Sequence, residues 1–226
     1  MAYQFLIDFD GTIALTDTTD LLLRMFAGPE WLVIEEEWAQ GKINSRECLA
    51  RQANLLAASD EDIRRALATV EIDPHFPAFL AAARRAHASA QIISDGFDVN
   101  IATVLGARYA DVPRRSNLLR RLAGGWSVLF PHARPHCEAG SGVCKCAAID
   151  GRFPTVLIGD GRSDFCLAGR VDFVLAKGSL AAHCRQMGYE HRAIASFADA
   201  IAWLEHDALL RFPILDSNLA LGSNNA

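Results

Sequence analysis

An apolar run, Phe5-Leu6-Ile7, leads straight into Asp8-Phe9-Asp10-Gly11-Thr12, and this junction constrains the fold more than any other stretch of the chain. A run of that kind is a strand buried on both faces of a parallel sheet, and ligands of such sheets bind just beyond the carboxyl ends of the strands. Asp8 and Asp10 stand at that end. Alternate side chains of a strand share a face, so the two acids lie side by side and repel unless a cation or a proton intervenes. A second run, Thr155-Val156-Leu157-Ile158, ends in Gly159-Asp160-Gly161 in the same manner.

Between and after these runs, strands and helices alternate. Strands are expected at 90–93, 155–158, 171–175 and 192–195, and helices at 78–87, 98–105, 179–187 and 197–206, with a hairpin arm at 124–130 in an otherwise irregular stretch to Pro135. The pattern predicts an α/β fold with a doubly wound parallel sheet. Residues 16–74 carry no strand pattern and read as four consecutive helices. The first is capped by Asp17 or Thr18, the second runs from Glu30 to Gly41, the third is capped by Ser45, and the fourth opens on the capping box Ser59-Asp60-Glu61-Asp62. Four amphipathic helices directly after one strand form an inserted bundle over that strand's end. The expected division is a core of residues 1–15 and 75–215, a helical cap of 16–74, and a loose tail of 216–226.

With 226 residues, 51% apolar and 22% charged, the chain can bury one sizeable core plus an insertion. A net charge of −5 argues against a nucleic-acid partner or a basic membrane patch. No apolar run nears the roughly 20 residues of a membrane span, and the opening Met-Ala-Tyr-Gln has no basic export region, so a cytoplasmic protein is expected. The six cysteines then read as thiols or metal ligands in place of a disulfide frame. Among 22 cationic side chains only Lys42, Lys145 and Lys177 are lysines, which singles out those positions.

Four elements, Asp8-Phe9-Asp10-Gly11-Thr12, Ser94-Asp95-Gly96, Lys145 and Gly159-Asp160-Gly161-Arg162-Ser163-Asp164, resemble in order and spacing the motifs of the haloacid dehalogenase superfamily of phosphatases. The inserted helices are similar to the cap of its phosphoserine phosphatase-like branch. Within that branch Trp31, Gly41-Lys42-Ile43, the segment 94–98, Cys144-Lys145 and the segment 159–164 look most like 2,3-diketo-5-methylthio-1-phosphopentane phosphatases. Phosphocholine and phosphoethanolamine phosphatases are near relatives.

The resemblance implies a Mg²⁺-dependent phosphomonoesterase acting on a small phosphorylated metabolite through an aspartyl-phosphate. Asp8 is then the nucleophile and a metal ligand, and Asp10 the general acid and base, lending its backbone carbonyl to the metal. Asp160 is a further metal ligand. Ser94, Lys145 and the backbone N–H groups of Asp95 and Gly96, opening a helix, bind the phosphate, while Asp164 orients Lys145 or a metal-bound water. The physical demand is plain: a dianionic ester repels an anionic nucleophile unless positive charge surrounds its oxygens, and Mg²⁺ prefers hard oxygen ligands. The partner implied is a small phosphate ester, with no nucleic acid and no membrane, bound by a monomer or homodimer. The alternatives are a phosphoserine- or phosphocholine-type phosphatase, or a non-catalytic protein of the same fold that binds a phosphorylated ligand.

Other clusters have plainer readings. His132, His136, Cys137, Cys144 and Cys146 could build a zinc site, but their spacing is not that of a zinc ribbon, and unliganded thiols are expected. Glu35-Glu36-Glu37 reads as a solvated helix face. Trp31, Trp38, Arg51 and Gln52 of the cap are open to either packing or substrate contact.

Overall fold

The computed structural model describes residues 3–208, so the expected tail at 216–226 lies outside the described residues. Seven strands form one sheet in the order β4-β3-β2-β1-β5-β6-β7. They are β1 (Gln4–Ile7), β2 (Ser89–Phe97), β3 (Arg114–Leu122), β4 (Gly125–Leu129), β5 (Thr155–Gly159), β6 (Phe173–Ala176) and β7 (His191–Ala193). All neighbours pair in parallel except β3 and β4. Because β1 lies between β2 and β5, the chain reverses its winding direction at β1, the place where open α/β sheets bind ligands.

The period-two alternation of β1 divides the core. Phe5 and Ile7 face α5 (Phe76–Arg85) and α9 (Phe197–His206), where Phe76, Phe79, Phe197 and Trp203 are buried with them. Leu6 faces the other layer with Leu157, Val174, Leu167 of α7 (Phe165–Ala168), and Leu180 and Cys184 of α8 (Gly178–Met187). Each such aliphatic or aromatic side chain contributes roughly 1.5–3 kcal/mol on full burial.

The inserted helices are α1 (Thr18–Phe26), α2 (Glu30–Ala39), α3 (Ser45–Ala53) and α4 (Asp60–Leu67). Asp17 caps α1 through Asp20 N, and Ser59 with Asp62 closes the capping box of α4. The third cap is not Ser45 but Asn44, whose side chain accepts from Glu47 N. Ser45 is the first helical residue, and its hydroxyl takes the Trp38 indole N–H at 3.0 Å. The insertion has its own core of Leu22, Leu23, Trp31, Ile63 and Leu67, which continues into Phe97 of β2, Leu119 of β3 and Trp126 of β4. Its two ends lie together: Leu15 N donates to Glu71 O at 2.9 Å, Asp73 N donates to Ile13 O at 2.8 Å, and Ala14 pairs antiparallel with Ile72.

Two strand expectations are corrected. The stretch before the hairpin arm is not irregular: Arg114–Leu122 forms β3, which joins the parallel sheet through Ile92↔Arg114 and then turns outward to pair with β4. Its run of arginines concealed it, because β3 has no apolar alternation. Arg114, Arg115 and Arg121 instead bond the carbonyls of Tyr109, Ala147 and Ala58. The strand expected to end at Ile93 continues to Phe97, and helix α6 (Asp98–Leu105) begins only after it.

Candidate functional site

The carboxyl ends of β1, β2 and β5 converge on a cavity of about 220 Å³. Asp8, Asp10, Ser94, Asp95, Gly96 and Asp160 line it from the sheet. Its opposite wall comes from the insertion, through Thr19, Glu35, Trp38, Cys48, Leu49 and Gln52 among others.

Asp8 follows β1 and is only 5% exposed. Its Oδ2 lies 2.9 Å from Lys145 Nζ and accepts from Ser163 Oγ at 3.3 Å, while Oδ1 accepts from Phe9 N. Lys145, 4% exposed at the start of a single 3₁₀ turn, also donates to Asp164 Oδ1 at 2.7 Å and to Ser163 Oγ at 2.9 Å. Burial alone would lower the Lys145 pKa, but Asp164 and Asp8 together outweigh it, so the pKa is raised and the side chain is an ammonium. Burial first and then Asp8 push Asp164 up to about 8, against the opposing pull of Lys145.

Asp8, Asp160 and Asp164 bring carboxylate oxygens within 4.8 Å of one another, the one such group of metal-ligating side chains among the described residues. Three acids gather around one buried ammonium, and a bound cation would displace the protons that burial favours on Asp160 and Asp164. Burial, then Asp8, raises the Asp160 pKa as well. A hard-oxygen donor set of this kind fits a small divalent cation such as Mg²⁺.

The turn after β1 allows this approach. Ile13 N and Ala14 N both donate to Phe9 O at 2.9 Å, and Gly11 takes φ +69°, where a Cβ would lie 2.3 Å from Asp160 Oδ2. Any larger residue would displace that carboxylate. Lys177, which follows β6, ties the turn down through the carbonyls of Gly11 (2.9 Å) and Thr12 (3.4 Å), and Thr12 Oγ1 donates to Asp160 Oδ1.

Asp10 stands apart from the three-acid group. Its Oδ1 accepts from both the backbone N (2.8 Å) and the hydroxyl (2.6 Å) of Thr18, which Asn100 Nδ2 holds in turn. Burial, with Asp17 next, raises the Asp10 pKa well above the ordinary carboxylate value despite the Thr18 bonds, and Asp8 adds to the rise. A carboxyl that holds its proton more tightly than usual, beside an acidic neighbour, suits general acid chemistry.

Ser94 is buried and accepts from Gly96 N at 2.9 Å, which leaves its hydroxyl proton free to donate. Asp95 and Gly96 do not open a helix as expected: both belong to the extended end of β2, and α6 starts two residues later. The Asp95 carboxylate instead braces the neighbouring chain, accepting from Val143 N (2.8 Å) and Asn117 Nδ2 (3.2 Å). The reason is local: Asn117 of β3 also donates to Asp95 O at 2.6 Å and holds this segment extended.

In the insertion, Glu35 is not part of a solvated face. It lines the cavity, and its Oε2 accepts from the buried amide of Gln52 at 2.8 Å, whereas Glu36 is exposed and Glu37 pairs with Arg51 at 2.6 Å. Trp38 and Gln52 line the cavity, while Trp31 is buried in the insertion's own core. In the cysteine cluster, Cys146 lies 3.3 Å, Sγ to Sγ, from Cys166 on α7, and no three His or Cys side chains gather to metal-binding distance among the described residues.

A family model for haloacid dehalogenase-like hydrolases matches residues 5–169, a span that contains every group just described except Lys177. The chain belongs to this family. A curated relative from Brevibacillus brevis, a 2-hydroxy-3-keto-5-methylthiopentenyl-1-phosphate phosphatase, is 30% identical over 206 residues, covering 88% of this chain and 93% of the relative. A relative of the same name from an Exiguobacterium species is 28% identical over 212 residues, covering 91% and 98%. Among solved structures, a phospho-aspartyl intermediate analogue of phosphoserine phosphatase superposes with a TM-score of 0.68 at 19% identity, over 89% of this chain and 98% of that one. This haloacid dehalogenase-like hydrolase is a phosphatase, and its fold is that of the phosphoserine phosphatases.

Ser163, Thr18 and Lys177 were given no part in the chemistry by the sequence, where Thr18 stood only as a candidate helix cap and Ser163 only as a member of the last motif. The scarcity of lysine was the one available signal for Lys177, whose contacts are to backbone carbonyls 165 and 166 residues away.

Proposed function

We propose that the protein hydrolyses a small phosphate monoester through an aspartyl-phosphate on Asp8, with Mg²⁺ as cofactor. The observation that carries this is the central placing of Asp8 at the three strand ends, with Lys145 2.9 Å from one oxygen and Asp10 held off by Thr18. Asp8 and Asp160 would hold the metal, with the Asp10 carbonyl as the family pattern implies; when bound, Mg²⁺ supplies positive charge against the phosphoryl oxygens. Lys145 and the Ser94 hydroxyl bind phosphoryl oxygens. An Asp8 oxygen attacks phosphorus as the bond to the alcohol oxygen breaks, and Asp10 gives that oxygen its proton. Ionised Asp10 then takes a proton from the water that attacks the phosphorus of the acyl-phosphate. Inorganic phosphate leaves, and both acids return to their starting states. Asp164 holds Lys145 and the Asp160 backbone N–H in place.

Addition of Mg²⁺ to chelator-treated protein is expected to raise the thermal midpoint. The gain is about 2.7 kcal/mol at a hundredfold excess over the dissociation constant. Asp160→Asn should abolish the shift, and a shift that survives in this variant would remove Asp160 from the ligand set.

For the ester itself, the full-length similarity to 2-hydroxy-3-keto-5-methylthiopentenyl-1-phosphate phosphatases, insertion included, favours that methionine-salvage substrate. Trp38, Leu49 and Cys48 offer an apolar wall for a methylthio group. Residues 16–74, taken as the cap, supply this wall, and six free cysteines suit a reducing cytoplasm. Turnover should be fastest with the methylthio ester in a Mg²⁺-supplemented panel with phosphoserine and phosphocholine. A higher kcat/KM for either of the latter overturns the substrate reading and leaves the chemistry standing.

A further inference from the structure

Two adjacent threonines open α1, and they differ in one respect. Thr18 has both its hydroxyl bonds, to Asp10 and from Asn100. Thr19 lines the cavity, is 9% exposed, and its Oγ1 has no hydrogen-bond partner among the described residues. A helical threonine usually bonds a carbonyl three or four residues back. For Thr19, in the first turn, that carbonyl precedes the helix, so this outlet is closed.

The hydroxyl sits beside the reacting groups. A Cβ built on Gly96 would lie 2.7 Å from Asp10 Oδ2, 3.1 Å from Ser94 Oγ and 3.5 Å from Thr19 Oγ1, so the three oxygens gather on one face of Gly96. The Asp10 oxygen on that side is Oδ2, the one that Thr18 leaves open. The surrounding wall is rich in acceptors: Asp17, Asp20 and Glu35 line it, and Gln52 holds Glu35 in place. Arg162, its one cation among the described lining residues, is engaged elsewhere, stacked 4.7 Å over Trp38 and donating to Ala39 O.

We propose that Thr19 is a substrate-binding residue whose hydroxyl bonds an oxygen of the leaving group next to the ester bond, in a subsite whose acidic wall rejects leaving groups bearing a carboxylate. The proposal rests on the reading of this cavity as the ester site. The class of substrate it selects is the phosphate ester of an uncharged keto- or hydroxy-alcohol.

Kinetics of Thr19→Val and Glu35→Gln test it with three probes: dihydroxyacetone phosphate, which carries an oxygen next to the ester carbon; n-propyl phosphate, which lacks it; and 3-phosphoglycerate, which adds a carboxylate. Wild type should prefer the first probe to both others. Thr19→Val should shrink the preference over n-propyl phosphate by about tenfold, mainly through KM, the size expected for one lost hydrogen bond to a buried hydroxyl. Its thermal midpoint should hold or rise, because an unpaired buried hydroxyl is gone. Glu35→Gln should narrow the discrimination against 3-phosphoglycerate. An absent or unchanged preference, or a fall in thermal midpoint with the preference intact, overturns the role of Thr19, and unaltered discrimination in Glu35→Gln overturns that of the wall. If wild type turns over none of the three esters, the ester-site reading fails and the proposal falls with it.

Discussion

Asp8→Asn is expected to yield a folded protein whose turnover of phosphate esters falls at least about a thousandfold, roughly 4 kcal/mol of lost transition-state stabilisation. The amide is nearly isosteric and can keep the bond from Phe9 N, so the turn after β1 survives. What it loses is a nucleophilic oxygen and the charge that pairs with Lys145. Removing one of three crowded carboxylates also relieves repulsion, so the metal-free variant should melt no earlier than the parent. Steady-state kinetics with saturating Mg²⁺ and a melt in chelator check both halves. Turnover within tenfold of wild type would mean that the nucleophile lies elsewhere.

Lys145→Met should produce the largest loss of stability of any single exchange at the site, about 3–5 kcal/mol in the absence of metal at alkaline pH, because Asp8 and Asp164 then lose the one cation they share and Asp164 must either hold a proton or stay charged without a partner. Asp164 is fully buried and reaches a pKa of about 8 even with the ammonium 2.7 Å away. Without Lys145 it moves higher still. The folded variant then binds a proton at pH values where the unfolded chain, with carboxyls near 3.9, does not. The sign follows: stability of the variant increases as pH falls from about 8 toward 4 and is lost as pH rises. Wild-type Asp164 already holds its proton below about 8, so the loss relative to wild type should widen above that pH, and denaturant unfolding at about pH 6 and about pH 9.5 in chelator measures this. An equal loss at both values would show that packing, not charge, dominates.

The parts of the site that announced themselves in the sequence are those joined to an apolar strand. Asp8 and Asp160 follow directly on runs of buried residues, and in a parallel sheet that position is enough to foresee where they meet. Lys145 stood out by scarcity. Glu35 did not, because three consecutive glutamates carry no sign of which one faces inward; Gln52, on the next helix, decides it. The extended conformation of Asp95 and Gly96 was likewise hidden, since it depends on Asn117 in a strand whose polar sequence gave no β signal. Thr18 and Ser163 act on groups 8 and 155 residues distant, and no local pattern encodes such partnerships. The layers follow from short-range periodicity, whereas strand order and side-chain pairings between segments follow only from the assembled sheet.

The paired ends of the insertion, Ile13–Leu15 against Glu71–Asp73, make a doorway through which the chain leaves the sheet and re-enters it at almost the same point. Beyond the doorway the insertion meets the sheet again on one side, at Phe97, Leu119 and Trp126. Lengthening a closed excursion costs only about 0.6 kcal/mol for each doubling. A bundle of different length or shape fits the same opening if it keeps a hydroxyl on Asp10, as Thr18 does, and an apolar face for Phe97, Leu119 and Trp126. The segment is in effect an exchangeable cassette: selectivity can drift by wholesale replacement of one stretch of chain, while the acids at the strand ends stay where they are.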